Sequence, residues 1–146
     1  MTYFADLTPY TYLERHDEDG HGASDEPLLN VGWLDAAHPF PTGAPPDGLL
    51  SALTELATVR VRQTRGYHYC EICVRDLGED TRDAVRQGAI ARESAEFEVR
   101  GDGVVYAAPQ LLLHYVAAHE YLPPAEFCTA ALRATTSHAT HRPAAR

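Results

Sequence analysis

The sequence predicts a small α+β domain, and three features of the 146-residue chain support this class. Apolar residues at helical spacing indicate about three helices, and β-rich runs around a glycine turn indicate a short antiparallel hairpin. Paired cysteines and paired histidines indicate a Cys2His2-type zinc site. The length suits one domain. We assign this domain to residues 1–135 and expect a frayed tail over residues 136–146, which lack apolar periodicity.

The N-terminal part of the chain predicts few regular elements. Residues 14–27 are acidic and almost free of apolar side chains, so they predict a solvated loop. Residues 28–34 (LLNVGWL) predict a short strand. Four prolines between Pro39 and Pro46 predict an irregular connector. Leucines at helical spacing after Pro46 predict a helix that ends near Thr58.

The residues before Cys70 predict a strand, and a segment after it predicts a helix. Residues 59–69 are rich in β-branched and aromatic side chains and predict a strand that leads directly into Cys70. Residues 79–91 predict a short polar helix.

The last third of the chain gives the clearest local signals. Residues 94–100 and 104–107 flank a Gly-Asp-Gly turn and predict a β-hairpin. Pro109 is predicted to open an apolar helix, QLLLHYVAAHEY. Pro123-Pro124 should stop that helix and start the next, over about residues 125–134.

Two cysteines and two histidines have the spacing of a zinc site. Cys70 and Cys73 form a C-x2-C pair, so one tight turn can bring both thiolates to a single metal. His114 and His119 form an H-x4-H pair about 40 residues later. The two pairs supply the four ligands that tetrahedral zinc requires. We therefore predict one Zn²⁺ bound by these four residues.

The histidine pair meets one geometric objection. On an ideal helix, residues five apart point about 140° away from each other, because each residue turns the helix by about 100°. His114 and His119 can share a metal only if the helix ends, tightens or bulges near His119. The approaching Pro123-Pro124 favours an early end. His68, two residues before Cys70, is the alternative ligand.

Two interpretations without a zinc ion stay open for the cysteine pair. Cys70 and Cys73 can form a thioredoxin-like redox motif, although Glu71-Ile72 between them is unusual for such a motif. They can also be buried thiols beside core histidines. Cys128 lies in an apolar helical stretch and is predicted to be a core residue rather than a ligand.

Charge and hydropathy limit the possible partners. The net charge is −9, from 12 basic and 21 acidic residues, which argues against nucleic acid as a partner. An acidic surface instead suits a protein partner or a small cationic ligand. No apolar run approaches the roughly 18 residues of a membrane span, and residues 1–10 lack the pattern of a signal peptide. We therefore expect no membrane association and a cytoplasmic location, where thiols stay reduced.

Four sequence blocks together resemble a known family. They are FADLTPYTY (4–12), NVGWL (30–34), RGYHYCEIC (65–73) and GVVYAAPQLLLHYVAAHEYLPP (103–124). Their order resembles a family of small bacterial (actinobacterial-type) proteins of unknown function. The resemblance implies that the cysteine pair and the histidine pair form one site, and it implies no activity. Residues 75–93 are longer and more charged than the pattern of that family.

These features support two functional hypotheses. The first is a zinc-stabilised binding or accessory module, in which four protein ligands leave no position for water or substrate. The alternative is a zinc-dependent hydrolase or lyase. That enzyme needs an open coordination position and a general base, for which Glu71 and Glu120 are the candidates.

Overall fold

The computed structural model describes residues 3–13, 25–78 and 81–140, and this part of the chain contains five strands and five helices. The strands are β1 (Leu28–Asn30), β2 (His68–Tyr69), β3 (Arg92–Glu93), β4 (Glu96–Arg100) and β5 (Val105–Pro109). The helices are α1 (Leu49–Leu56), α2 (Glu71–Leu77), α3 (Thr81–Arg86), α4 (Leu112–His119) and α5 (Ala125–Thr140). The predicted α+β class is confirmed. Most of the predicted acidic loop, residues 14–24, lies outside the described residues.

The main sheet has three strands in the order β1-β5-β4. Strands β4 and β5 form the predicted antiparallel hairpin, with Arg100 opposite Val105. Gly103 lies in the connecting turn with φ 67°, a conformation that glycine adopts without steric cost. Strand β1 adds to the other side of β5 in parallel, so the sheet is mixed rather than purely antiparallel. All five residues of β5 are buried, as expected for the central strand.

The strand predicted over residues 59–69 is wrong for most of its length. Only His68–Tyr69 forms a strand, paired with β3, while Val61 makes a single bridge to Glu96. Arg62 interrupts the extended path because its φ is 46°, in the left-handed region. Its guanidinium donates to Glu96 Oε1 at 3.0 Å and Glu98 Oε1 at 2.7 Å. The two ion pairs of this nearly buried side chain therefore hold Arg62 in a backbone conformation that residues other than glycine rarely adopt.

Three helices differ from the prediction in their presence or their length. Helix α2 was not predicted, and α3 covers only part of the polar helix expected over residues 79–91. Helix α5 continues to Thr140, beyond its predicted end at residue 134 and into the predicted frayed tail. The hydroxyl of Thr136 donates to the Leu132 carbonyl at 2.9 Å, the i−4 contact that threonine makes within a helix. Residues 141–146 lie outside the described residues.

The length of the helices in the described ranges bears on membrane insertion. The longest of them, α5, has 16 residues. None of the helices in the described part of the chain is long and apolar enough to cross a membrane.

Gly32 allows the chain leaving β1 to pass close to α4. A Cβ at this position would lie 2.4 Å from Leu112 Cδ1, and the backbone φ is +80°. We expect Gly32→Ala to lower the free energy of unfolding by about 2–4 kcal/mol, from overpacking and backbone strain together. Urea denaturation followed by circular dichroism measures this loss.

Gly103→Ala is the matched control for this substitution. Gly103 has φ +67°, but a Cβ there would meet nothing within 4 Å. The control should therefore show the backbone strain alone, at about 1–2 kcal/mol. Equal losses in the two variants would contradict the close approach of Gly32 to α4.

Candidate metal centre

The cysteine pair lies where strand β2 passes into helix α2. The Cys70 N–H donates to the Ala91 carbonyl at 2.9 Å, which continues the β2–β3 pairing by one residue. Cys70 is then the N-cap of α2, and the Cys73 N–H donates to Cys70 Sγ at 3.4 Å. Serine, aspartate and similar acceptors commonly cap helices in this way, and a sulfur acceptor performs the same role here. The first turn of α2 therefore places Cys73 beside Cys70.

The histidine pair lies at the C-terminal end of helix α4. The helix ends at His119, because Glu120 adopts the left-handed conformation with φ 57° and ψ 22°. The Tyr121 N–H closes this end by donating to the Tyr115 carbonyl at 3.1 Å. This early end satisfies the condition under which His114 and His119 can share a metal, namely that the helix ends near His119. Nε2 of His114 and Nε2 of His119 lie 3.2 Å apart, with the rings nearly perpendicular at 81°.

The structure brings all four predicted ligand residues together. His119 Nε2 lies 3.3 Å from Cys70 Sγ and 3.3 Å from Cys73 Sγ. Cys73 Sγ lies 3.3 Å from His114 Nε2. All four atoms lie within 4.8 Å of one another. His119 therefore occupies the centre of the cluster and contacts each of the other three residues.

Four of the six separations among the donor atoms are close to those in a tetrahedral zinc site, and the other two are below 4.8 Å. With Zn–S bonds of about 2.3 Å and Zn–N bonds of about 2.0–2.1 Å, the ligand atoms should be about 3.3–3.8 Å apart. The observed N···N distance of 3.2 Å and S···N distances of 3.3 Å lie just below these values. Two sulfurs and two imidazole nitrogens are also the donor types that zinc prefers. The four residues could therefore hold one metal ion, and their donor chemistry suits zinc.

Burial controls the protonation of two of these groups. It raises the pKa of the Cys70 thiol to about 11, so this sulfur stays protonated near neutral pH unless a cation stabilises the thiolate. Burial, followed by the neighbouring His119, lowers the pKa of His114. A neutral imidazole keeps the free electron pair that a metal ligand needs. Metal binding would then release the proton of Cys70.

Three other sequence candidates lie outside this cluster of four. His68 Nε2 is 3.4 Å from the Tyr12 hydroxyl, and the two rings meet edge to face. Glu71 Oε2 accepts from the Ala36 N–H at 3.4 Å. The Glu120 side chain is exposed beyond the end of α4. None of the three belongs to the group of residues positioned to hold a metal.

Cys128 is buried in the core, as the sequence predicted. Its thiol donates weakly to the Pro123 carbonyl at 3.6 Å. It is not part of the Cys/His cluster. The three cysteines thus separate into one convergent pair and one core residue.

Sequence reasoning missed one polar group beside the cluster. The Tyr115 hydroxyl is buried, and it has no hydrogen-bond partner among the described residues. Burial raises the pKa of Tyr115, and the negative charge of Cys70 raises it further. Tyr115 lies between the two histidines in the chain, where apolar periodicity indicates only a core position. The sequence therefore carried no signal for its proximity to the thiols.

A second missed feature is the contact of Asp6 with the end of α4. The Tyr121 hydroxyl donates to Asp6 Oδ2 at 2.8 Å, and Tyr121 is fully buried. Burial raises the pKa of Asp6 and of Tyr121. In the sequence, residues 4–12 carry part of the family resemblance but no signal for a contact with the end of α4.

The comparisons with known proteins assign the chain to a family. No curated protein and no solved structure matches the chain. A family described as a domain of unknown function, DUF7919, matches residues 2–132, which is most of the chain and includes all four residues of the cluster. The resemblance to a family of unknown function is thereby confirmed. The chain belongs to the DUF7919 family.

Proposed function

We propose that this protein is a zinc-stabilised binding or accessory module. The observation that supports the proposal is the convergence of two thiols and two imidazoles within 4.8 Å. Cys70, Cys73, His114 and His119 supply four donors, which is the full set for a tetrahedral structural zinc. Such a site has no position for water or substrate, so its contribution is to stability and shape.

The position of the cluster in the chain supports a structural role. One pair belongs to the β2–α2 junction and the other to the end of α4. Helix α2 has only one buried residue, Ile72, so apolar packing alone holds it weakly. A metal bound by both pairs would fasten α2 to α4. The free energy of metal binding then becomes folding free energy.

The surroundings give less support to the enzyme hypothesis. An enzyme of this type needs a carboxylate near a metal-bound water. Glu71 already accepts from a backbone N–H, and Glu120 points to solvent. We therefore favour a closed site over an open one.

The charge of the chain supports the class of partner that we propose. With a net charge of −9, the surface suits a protein partner or a small cationic ligand and repels nucleic acid. We place the protein in the cytoplasm, because reduced cysteines are available there for metal binding.

The test of this proposal is the metal content and the coordination of the purified protein. We expect about one zinc per chain by mass spectrometry after expression in zinc-supplemented medium. X-ray absorption at the zinc edge should report two sulfur and two nitrogen ligands and no water. The Cys128→Ser variant is the control and should keep the same content, because Cys128 lies outside the cluster.

Two results would contradict the proposal. A zinc content below about a tenth of an equivalent would remove the metal site, since a closed Cys2His2 site retains zinc through purification. A shell of three protein ligands and one water would favour the enzyme.

A further inference from the structure

The N-terminal segment (residues 3–13) contacts residues that lie near each half of the candidate metal centre in the chain. Asp6 Oδ2 accepts from the hydroxyl of Tyr121, two residues after His119, at 2.8 Å. The Tyr12 hydroxyl lies 3.4 Å from His68 Nε2, two residues before Cys70. One segment therefore contacts the residues next to each ligand pair.

The contact between Asp6 and Tyr121 is the stronger of the two. Its second oxygen, Oδ1, accepts from the Gly32 N–H at 2.9 Å, and Gly32 packs directly against Leu112 of α4. Asp6 thus joins the chain leaving β1 to both ends of the helix that carries the histidines. Hydrogen bonds to a charged carboxylate are stronger than neutral ones, particularly at a partly buried site.

Backbone pairing holds the segment in place. The Leu7 N–H donates to the Asn30 carbonyl at 2.7 Å, and the Asn30 N–H donates to the Thr8 carbonyl at 2.8 Å. Leu7 itself has φ 66°, a strained conformation for a residue other than glycine. Such strain persists only while surrounding contacts hold the residue. The segment is therefore expected to leave its place as a unit when those contacts weaken.

We propose that docking of the N-terminal segment and metal binding are coupled. The docked segment positions the end of α4 and the strand before Cys70, and a bound metal in turn stabilises the docked segment. The coupling is reciprocal, because each binding event changes the free energy of the other by the same amount. This inference rests on the proposed zinc site. It assigns Asp6 and Tyr121 as positioning residues of that site.

Trp33 is a natural reporter of this docking. It is the only tryptophan of the chain, and its indole N–H donates to the Ala107 carbonyl at 3.0 Å. Its ring packs against Phe4 and Tyr12 of the segment, each with ring centroids 5.5 Å away. Departure of the segment would expose the indole to water and shift its emission to longer wavelength.

The first experiment titrates the metal-free protein with Zn²⁺ while Trp33 emission is recorded, and with Co²⁺ while thiolate absorption bands are recorded. We expect the emission to move to shorter wavelength and to saturate at one equivalent of Zn²⁺. Unchanged emission together with clear Co²⁺–thiolate bands would overturn the coupling and leave the metal site intact. Absence of those bands would overturn both.

The second experiment compares zinc affinities by competition with a chelator. We expect Tyr121→Phe to weaken zinc binding by about tenfold, the loss of one charge-assisted hydrogen bond. Asp6→Ala should weaken zinc binding at least as much, because Asp6 also accepts from the Gly32 N–H. The double variant should bind zinc as weakly as Asp6→Ala and no more weakly, because Asp6→Ala already removes the contact with Tyr121. If Asp6→Ala does not fold, the zinc affinity of Tyr121→Phe alone tests the proposal, because this substitution removes only one oxygen atom.

Tyr106→Phe is the matched control for the second experiment. It removes the same atom from a buried tyrosine that packs against Phe127 of α5. It should change zinc affinity by less than about twofold, which is below the loss of one hydrogen bond. An equal loss in Tyr106→Phe and Tyr121→Phe would show general destabilisation and overturn the positioning role.

Discussion

Cys70→Ser is expected to lower the free energy of unfolding by roughly 5 kcal/mol or more, because the binding energy of a structural zinc is coupled to folding. Cys70 is the fully buried member of the pair, and it also caps α2. A serine hydroxyl can still cap the helix, so the loss should come from the metal. Thermal and urea denaturation with one added equivalent of zinc measure the loss, and Cys73→Ser should behave alike.

Cys128→Ser is the control that separates the loss of a metal ligand from the cost of placing a hydroxyl in a buried site. It makes the same atomic change in a residue that is 3% exposed and outside the cluster. We expect a cost of about 1–3 kcal/mol, for a hydroxyl in an apolar site. In the presence of a strong chelator, the loss in Cys70→Ser should fall to about the loss in Cys128→Ser, because only the cost of the buried hydroxyl remains. Equal losses for Cys70→Ser and Cys128→Ser would argue against a metal role for the pair.

Elements with short-range signals were predictable from the sequence. The hairpin of β4 and β5 follows from the Gly-Asp-Gly turn between two β-rich runs, which are all within about a dozen residues. The separation of α4 from α5 follows from Pro123-Pro124, because proline cannot continue a helix. In both cases the residues that determine the structure are neighbours in the chain.

Elements that depend on distant partners were not predictable. Strand β1 pairs with β5 in parallel, with Leu28 opposite Val105, and no local pattern encodes that choice. The expected strand over residues 59–69 fails at Arg62, because Glu96 and Glu98 hold its side chain from another part of the chain. Tertiary contacts override propensity at such positions.

The candidate site was predicted by its chemistry rather than by its geometry. Ligand type and spacing are sufficient to associate Cys70 and Cys73 with the histidine pair, since few other arrangements use this donor set. The spacing of His114 and His119 opposes a shared metal on a continuous helix. The left-handed Glu120, which ends α4 after His119, removes that objection. The Asp6–Tyr121 contact joins residues 115 positions apart, and neither residue type signals it.

His119→Ala is expected to weaken zinc retention and to lower the melting temperature by about 10 °C or more, nearly as much as His114→Ala. The reason is geometric, since Nε2 of His119 lies 3.2–3.3 Å from the donor atoms of His114, Cys70 and Cys73. Loss of this imidazole leaves two buried thiols and one histidine with an incomplete shell. In a catalytic site His119 would instead face a metal-bound water, and its loss would spare the fold.

Calorimetric melts and zinc analysis of three histidine variants distinguish these outcomes. His38→Ala is the control, because its imidazole is exposed and pairs with Asp35 at 2.8 Å, outside the Cys/His cluster. It should melt within about 2 °C of the wild-type protein, since a substitution of an exposed side chain usually changes stability by less than about 0.5 kcal/mol. A normally folded, zinc-loaded His119→Ala protein would exclude the closed four-ligand site. The open coordination position would then favour a zinc enzyme, and Glu71 and Glu120 would be the first carboxylates to replace in a search for its general base.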